Sequence, residues 1–156
     1  MQIDQIANQL SAISTALEDA SIEAYGDLSP SAVAALLAMR RAPSISIGAI
    51  ALEVKLSHSA TVRLVDRLEK DWLVRRQRRR GREVMVELTA RGKRKAAELA
   101  EARQKAACQL FGSIAETDLE NLHKLFSTIL SGLNKPACAR FCLDNPIVAQ
   151  KEPEPA

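Results

Sequence analysis

Apolar residues recur at Ile3, Ile6, Leu10, Ile13 and Leu17. A period near 3.6 predicts an amphipathic helix over residues 3–24, with Gly26 as its stop. Leu28-Ser29-Pro30 opens a second helix: Ser29 caps it and Pro30 suits its first position. Val33, Leu36, Leu37 and Arg40 continue it, and Pro43 ends it. Ser44-Ile45-Ser46 reads as a short extended piece, after which Ser46 caps a third helix that runs to about Lys55. Leu56-Ser57 makes a tight turn, and Ser57 caps a fourth helix to about Lys70.

The pattern then changes. Trp72-Leu73-Val74 reads as a strand, and Glu83–Leu88 alternates as a second one. Arg75–Arg82 between them forms a hairpin tip with Gly81 at the turn. Thr89 caps a fifth helix to about Gly112, apolar through Leu99, Ala106 and Leu110. Thr117 or Asp118 begins the last helix, with Leu119, Leu122, Leu125, Phe126, Ile129 and Leu133. Beyond Pro136 no pattern holds, and QKEPEPA is expected to be a disordered tail. There is no internal repeat.

The fold class is therefore mainly α. Two consecutive helices with a short turn, followed by a basic hairpin, define a winged helix-turn-helix with a small β-wing. The expected organisation is a winged-helix lobe over 29–90, flanked by helices at 1–28 and 91–135, with a tail at 136–156. The first helix and the last two carry apolar stripes that a small winged-helix core does not cover alone. They call for a partner surface, most simply a second copy.

Charge sharpens this reading. Between Lys55 and Arg82 there are ten Lys/Arg against Asp66, Glu69 and Asp71, a segment charge of +7. The whole chain is at +3, so the remainder carries −4. A basic block in an acidic frame is the footprint of a polyanion binder. Projected at 100° per residue, Thr61, Leu64, Val65 and Leu68 share one side of the fourth helix. Ser59, Val62, Arg63, Asp66 and Arg67 share the other. Small donors and methyls first, then arginines, suit the edges of base pairs and the phosphates beside them. Taken alone such a face is as readily a solvated one. The neighbouring hairpin tips the balance, because six Arg in eight residues repel one another without a counter-anion.

Two stretches, SISIGAIALEVKLSHSATVRLVDRLEKDWLVRR and GREVMVELTARGKRKAAEL, resemble the core of the MarR family of bacterial regulators. The wing motif is matched by Arg82, Val84-Met85-Val86, Leu88-Thr89 and Gly92, and the resemblance covers about residues 28–133. It implies a homodimer, made by intertwining the N- and C-terminal helices; a cytoplasmic location is expected instead from the lack of a spanning run and of a secretion-signal pattern. Each protomer would offer one winged helix to a half-site of a pseudo-palindromic DNA operator, most simply as a repressor. Ser57, His58, Ser59, Val62, Arg63 and Arg67 would face the major groove. Arg78, Arg79, Arg80 and Arg82 would reach the minor groove and phosphates. The alternative is an adaptor whose basic wing docks an acidic protein. Two departures stand out. Arg80 occupies the position of an acid that usually precedes the wing arginine. Trp72 replaces a usual Gly after the recognition helix, where its ring is expected to pack on the base of the wing.

Relatives often release DNA on binding a small effector between the lobe and the dimer helices. Tyr25, Arg40 and Arg41 are candidates to line such a cleft, and are equally ordinary helix-end residues. Cys138 and Cys142, one helical turn apart, are read as buried small apolar residues, as a redox pair, or, with Cys108, as soft-metal ligands. No cysteine precedes Cys108, so the peroxide sensing that some relatives perform through a first-helix cysteine is not expected. No metal-ligand cluster, cofactor motif or catalytic triad can be nominated. No apolar run approaches the ~18 residues of a spanning helix, and the N-terminal residues lack the pattern of a secretion signal.

Overall fold

The computed structural model describes residues 2–78 and 83–133. Its elements are α1 (Ile3–Ser21), α2 (Pro30–Met39), β1 (Ile45–Ser46), α3 (Ile47–Val54), α4 (His58–Lys70), β2 (Val74–Arg78), β3 (Val84–Leu88), α5 (Ala90–Phe111) and α6 (Glu116–Ser131). A short 3-10 turn, Ile22–Tyr25, follows α1 and ends at Gly26, whose φ of +57° suits a residue without a Cβ. The chain forms two compact units. One comprises residues 1–27 with 98–132, and the other contains 28–97.

In the second unit, serines start three successive helices. Ser29 Oγ accepts from the Ala32 N–H, Ser46 Oγ from Ala49 and Ser57 Oγ from Ala60, at 3.1, 3.1 and 3.2 Å. Each satisfies an amide that the first turn leaves without a partner, worth about 1 kcal/mol. The core is aliphatic. Helix α2 is buried from Ala32 to Met39, and Ile50, Val65, Leu68, Val74 and Val86 close around it. The sheet has the order β1-β3-β2, all antiparallel, with Val74 opposite Leu88, Arg75 opposite Glu87 and Arg76 opposite Val86.

The start of the wing differs from the sequence expectation. The strand begins at Val74, because Trp72 adopts a left-handed backbone with φ of +61°. Helix α4 is closed by bonds from Asp71 N to Arg67 O and from Trp72 N to Glu69 O, and Leu73 N then returns to Leu68 O. This reversal needs a positive φ at Trp72, a backbone conformation that glycine adopts most readily. It also throws the indole outward: Trp72 is 75% exposed and does not pack on the base of the wing. The hairpin strand continues through Arg78, so the segment expected to be a tip from Arg75 is half strand, and residues 79–82 lie outside the described residues.

Gly92 has a different reason to be glycine. A Cβ there would stand 1.8 Å from the Leu73 carbonyl oxygen. The first turn of α5 therefore lies directly on the backbone that leads into the wing. Thr89 ties the same junction from both sides: its Oγ1 accepts from Gly92 N at 3.0 Å and donates to the Trp72 carbonyl at 2.6 Å.

In the first unit, α6 begins at Glu116 with Ala115 in the capping position, slightly ahead of the expected start. Arg103 Nη1 donates to Glu18 Oε1 at 2.8 Å and joins α5 to α1. Many of the apolar positions that define α1 and α6 face outward: Ile3 is 81% exposed, Leu125 63% and Ile129 60%. Among the described residues no helix is long and apolar enough to cross a membrane.

Candidate nucleic-acid interface

Helix α4 is amphipathic in the way its spacing predicts. Thr61, Val65 and Leu68 are buried and Leu64 is half-buried, while Ser57, His58, Ser59, Arg63, Asp66 and Arg67 are exposed and Val62 is half-exposed. The Thr61 hydroxyl is buried without penalty because it donates to the Ser57 carbonyl at 2.8 Å. The N-terminal end of α4 therefore presents a serine pair, Ser57 and Ser59, whose hydroxyl oxygens are 3.4 Å apart, with His58 between them. Arg63 and Arg67 follow one turn apart. Neither makes an ion pair among the described residues, so both guanidinium groups are available to an external anion.

Asp66 would oppose such an anion, and it is neutralised within the fold. Arg76, on β2, donates from Nη2 to Asp66 and from Nη1 to Glu69 at 2.8 Å. Burial works against the charge of Arg76, but hydrogen bonds and Coulombic attraction from the two acids outweigh it and raise its pKa above the ordinary arginine value. The guanidinium is a permanent cation committed to α4. On the other face of the hairpin, Arg75 pairs with Glu87, which also accepts from Gln77 Nε2 at 2.8 Å.

The basic block thus divides. Arg75 and Arg76 have carboxylate partners inside the fold, so the hairpin arginines repel one another less than a count along the chain implies. Sequence reasoning missed this division. The available signal was the pair Asp66 and Glu69, three apart on one helix face, followed by a strand arginine. Arg78 ends β2, and Arg79, Arg80 and Arg82 lie outside the described residues.

The remaining candidates separate. Tyr25 belongs to the first unit, where its hydroxyl donates to Glu18 Oε2 at 2.5 Å. Arg40 and Arg41, at the end of α2, line a cleft within the second unit, and Tyr25 is not among its lining residues. Cys108 is exposed on α5, and Cys138 and Cys142 lie outside the described residues.

The MarR family model matches residues 26–83. Solved structures share the fold across most of the chain. A MarR family protein from Bacillus stearothermophilus is 22% identical, with a TM-score of 0.78 over 85% of this chain and 96% of that one. A transcriptional regulator of the MarR family from a Rhodococcus species is 24% identical, with a TM-score of 0.64 over 83% and 94%. The oxidized form of MarR from E. coli is 19% identical, with a TM-score of 0.67 over 80% and 93%. No curated protein matches the sequence.

Proposed function

We propose that this winged-helix chain belongs to the MarR family and is a transcriptional regulator, most simply a repressor, that binds a pseudo-palindromic DNA operator as a homodimer. The observation that carries this reading is the exposed face of α4. Short hydroxyls and His58 lead at its N-terminal end, and Arg63 and Arg67 follow with no internal partner among the described residues. A helix N-terminus with small donors meets phosphates and base edges, and arginines further along read guanine or hold phosphate. Ser57, His58, Ser59, Val62, Arg63 and Arg67 enter the major groove in this reading. Arg78, Arg79, Arg80 and Arg82 take the minor groove and backbone.

The dimer is supported by the exposed stripes on α1 and α6, where Ile3, Leu10, Leu125 and Ile129 meet water in a single copy. A two-fold pairing would cover them and set two α4 helices about one helical turn of DNA apart, ~10 bp. A small ligand or an oxidant would act by favouring a form that fits DNA less well.

The test is a titration against the duplex upstream of the protein's own gene and a scrambled duplex of equal length, at two salt concentrations. Binding to the upstream duplex tighter by about 10³ or more at the higher salt is expected. Equal binding to both, or to neither, removes the operator assignment, and displacement by an acidic protein would favour the adaptor role.

A further inference from the structure

The outer face of α4 carries a hydroxyl, an imidazole or a charge at every position except one. Val62, half-exposed, follows Ser59 by one turn and precedes Arg63 and Asp66. Its neighbour Thr61 is fully buried and donates its hydroxyl to the Ser57 carbonyl at 2.8 Å. Threonine and valine have nearly the same shape, and stability alone would place them the other way round, with the hydroxyl in water and the methyls in the core. Valine is also a poorer helix former than alanine, because its branched Cβ crowds the preceding turn.

What the position gains is a fixed apolar surface. In a helix the χ1 of valine is held almost entirely in one rotamer, so its methyls keep one place. A single apolar side chain ringed by serine, arginine and aspartate is too small for a protein docking patch. The major groove offers a match of its own size, the C5 methyl of thymine. Asp66, next along the face, does not intrude, because its carboxylate accepts from Arg76 on β2. Val62 and Arg63 are consecutive, only about 1.5 Å apart along the helix axis, so the methyl that Val62 meets lies close to the base that Arg63 reads.

We propose that Val62 is a specificity-determining residue whose methyls pack on the C5 methyl of one thymine in each half-site, beside the guanine that Arg63 reads. This rests on the regulator reading above and names the base chemistry of the same surface. Arg63 supplies hydrogen bonds to its base, whereas Val62 supplies only apolar contact, so the two contributions separate by the kind of base change that removes each.

Uracil in place of thymine tests it, since uracil pairs identically and lacks only the methyl. The intact protein is titrated against the synthetic upstream duplex with each thymine replaced in turn by deoxyuridine. One position in each half-site is expected to weaken wild-type binding about fourfold, and both replaced together by about tenfold or more. A synthetic duplex carries no 5-methylcytosine, the other base with this methyl, so the loss is assigned to thymine. Val62→Ala should bind the uracil and thymine duplexes within about twofold of each other. Alanine suits a helix better than valine, and a wild-type melting curve will show that the variant folds. The sensitive thymine should lie within about two base pairs of the position whose preference Arg63→Ala relaxes. Continued methyl discrimination by Val62→Ala overturns the proposal, as does a sensitive thymine far from the Arg63 position. A wild-type preference for the upstream over the scrambled duplex that survives every uracil replacement overturns this inference alone. Equal binding to the upstream and scrambled duplexes removes the operator reading and this inference with it.

Discussion

Glu69 holds Arg76 twice: its Oε1 accepts from the guanidinium Nη1 at 2.8 Å, and its Oε2 accepts from the Arg76 backbone N–H at 3.0 Å. One carboxylate therefore fixes both the side chain and the main chain of β2 relative to the last turn of α4. Asp66 adds a further bond from the helix. The angle between α4 and the hairpin is set by side chains that pair with one another inside the fold. Arg76→Ala should lower stability by about 1–2 kcal/mol, since charged hydrogen bonds are lost at a partly solvated site. It should leave the salt slope of DNA binding unchanged, because Arg76 is spent inside the fold. Urea melts and duplex titrations at several salt concentrations check both parts, and a slope reduced by about one unit would mean that Arg76 contacts phosphate.

Arg63 and Arg79 should behave differently from Arg76 and from each other. Arg63 stands on the exposed face of α4 without an internal partner among the described residues. Arg63→Ala is expected to relax base preference at one operator position, by about 1–3 kcal/mol. Arg79→Ala is expected to weaken all duplexes alike and to lower the salt slope by about one unit. Binding to a panel of operators with single base changes separates the two effects. Altered preference at an unchanged slope in Arg79→Ala would take the wing off the backbone.

Much of this was legible in the sequence, and the exceptions have physical causes. Ser29, Ser46 and Ser57 were readable as caps because a cap is local: the hydroxyl bonds an amide three residues on. The faces of α4 followed from its period. Trp72-Leu73-Val74 reads as a strand by propensity, yet the chain must reverse after Asp71, and that geometry overrides the preference of an aromatic for extended backbone. The arginines of the hairpin read as an unrelieved run because their counter-charges are distant in sequence. Asp66 and Glu69 come from a helix, and Glu87 from the opposite strand.

Trp72 offers a direct measure of backbone strain. Its φ of +61° is unfavourable for any residue with a Cβ, and its exposed ring does little to repay that. Trp72→Ala and Trp72→Gly both remove the ring, but only glycine relieves the backbone. The glycine variant is expected to be more stable than the alanine variant by about 1 kcal/mol. Chemical denaturation of the two side by side measures this. Equal stabilities would mean that the turn relaxes out of the left-handed region.

Gly92 should tolerate substitution far less than its place in a helix suggests. In an ordinary helical position alanine is better than glycine by up to about 1 kcal/mol. Here the added methyl would meet the Leu73 carbonyl oxygen at 1.8 Å, a contact with backbone that cannot rotate away. The same carbonyl accepts from Thr89 N at 3.0 Å, and Thr89 in turn caps α5 and bonds Trp72. Gly92→Ala must therefore push α5 away from the junction or pull Leu73 out of line with β2, and either breaks part of this set. A loss of about 2 kcal/mol or more is expected, against the sign of helix propensity. Urea denaturation gives the magnitude, and weakened duplex binding at temperatures where the variant remains folded would show that the junction also aims the wing. A stability equal to or above that of the wild type would mean that α5 does not lie against the Leu73 carbonyl.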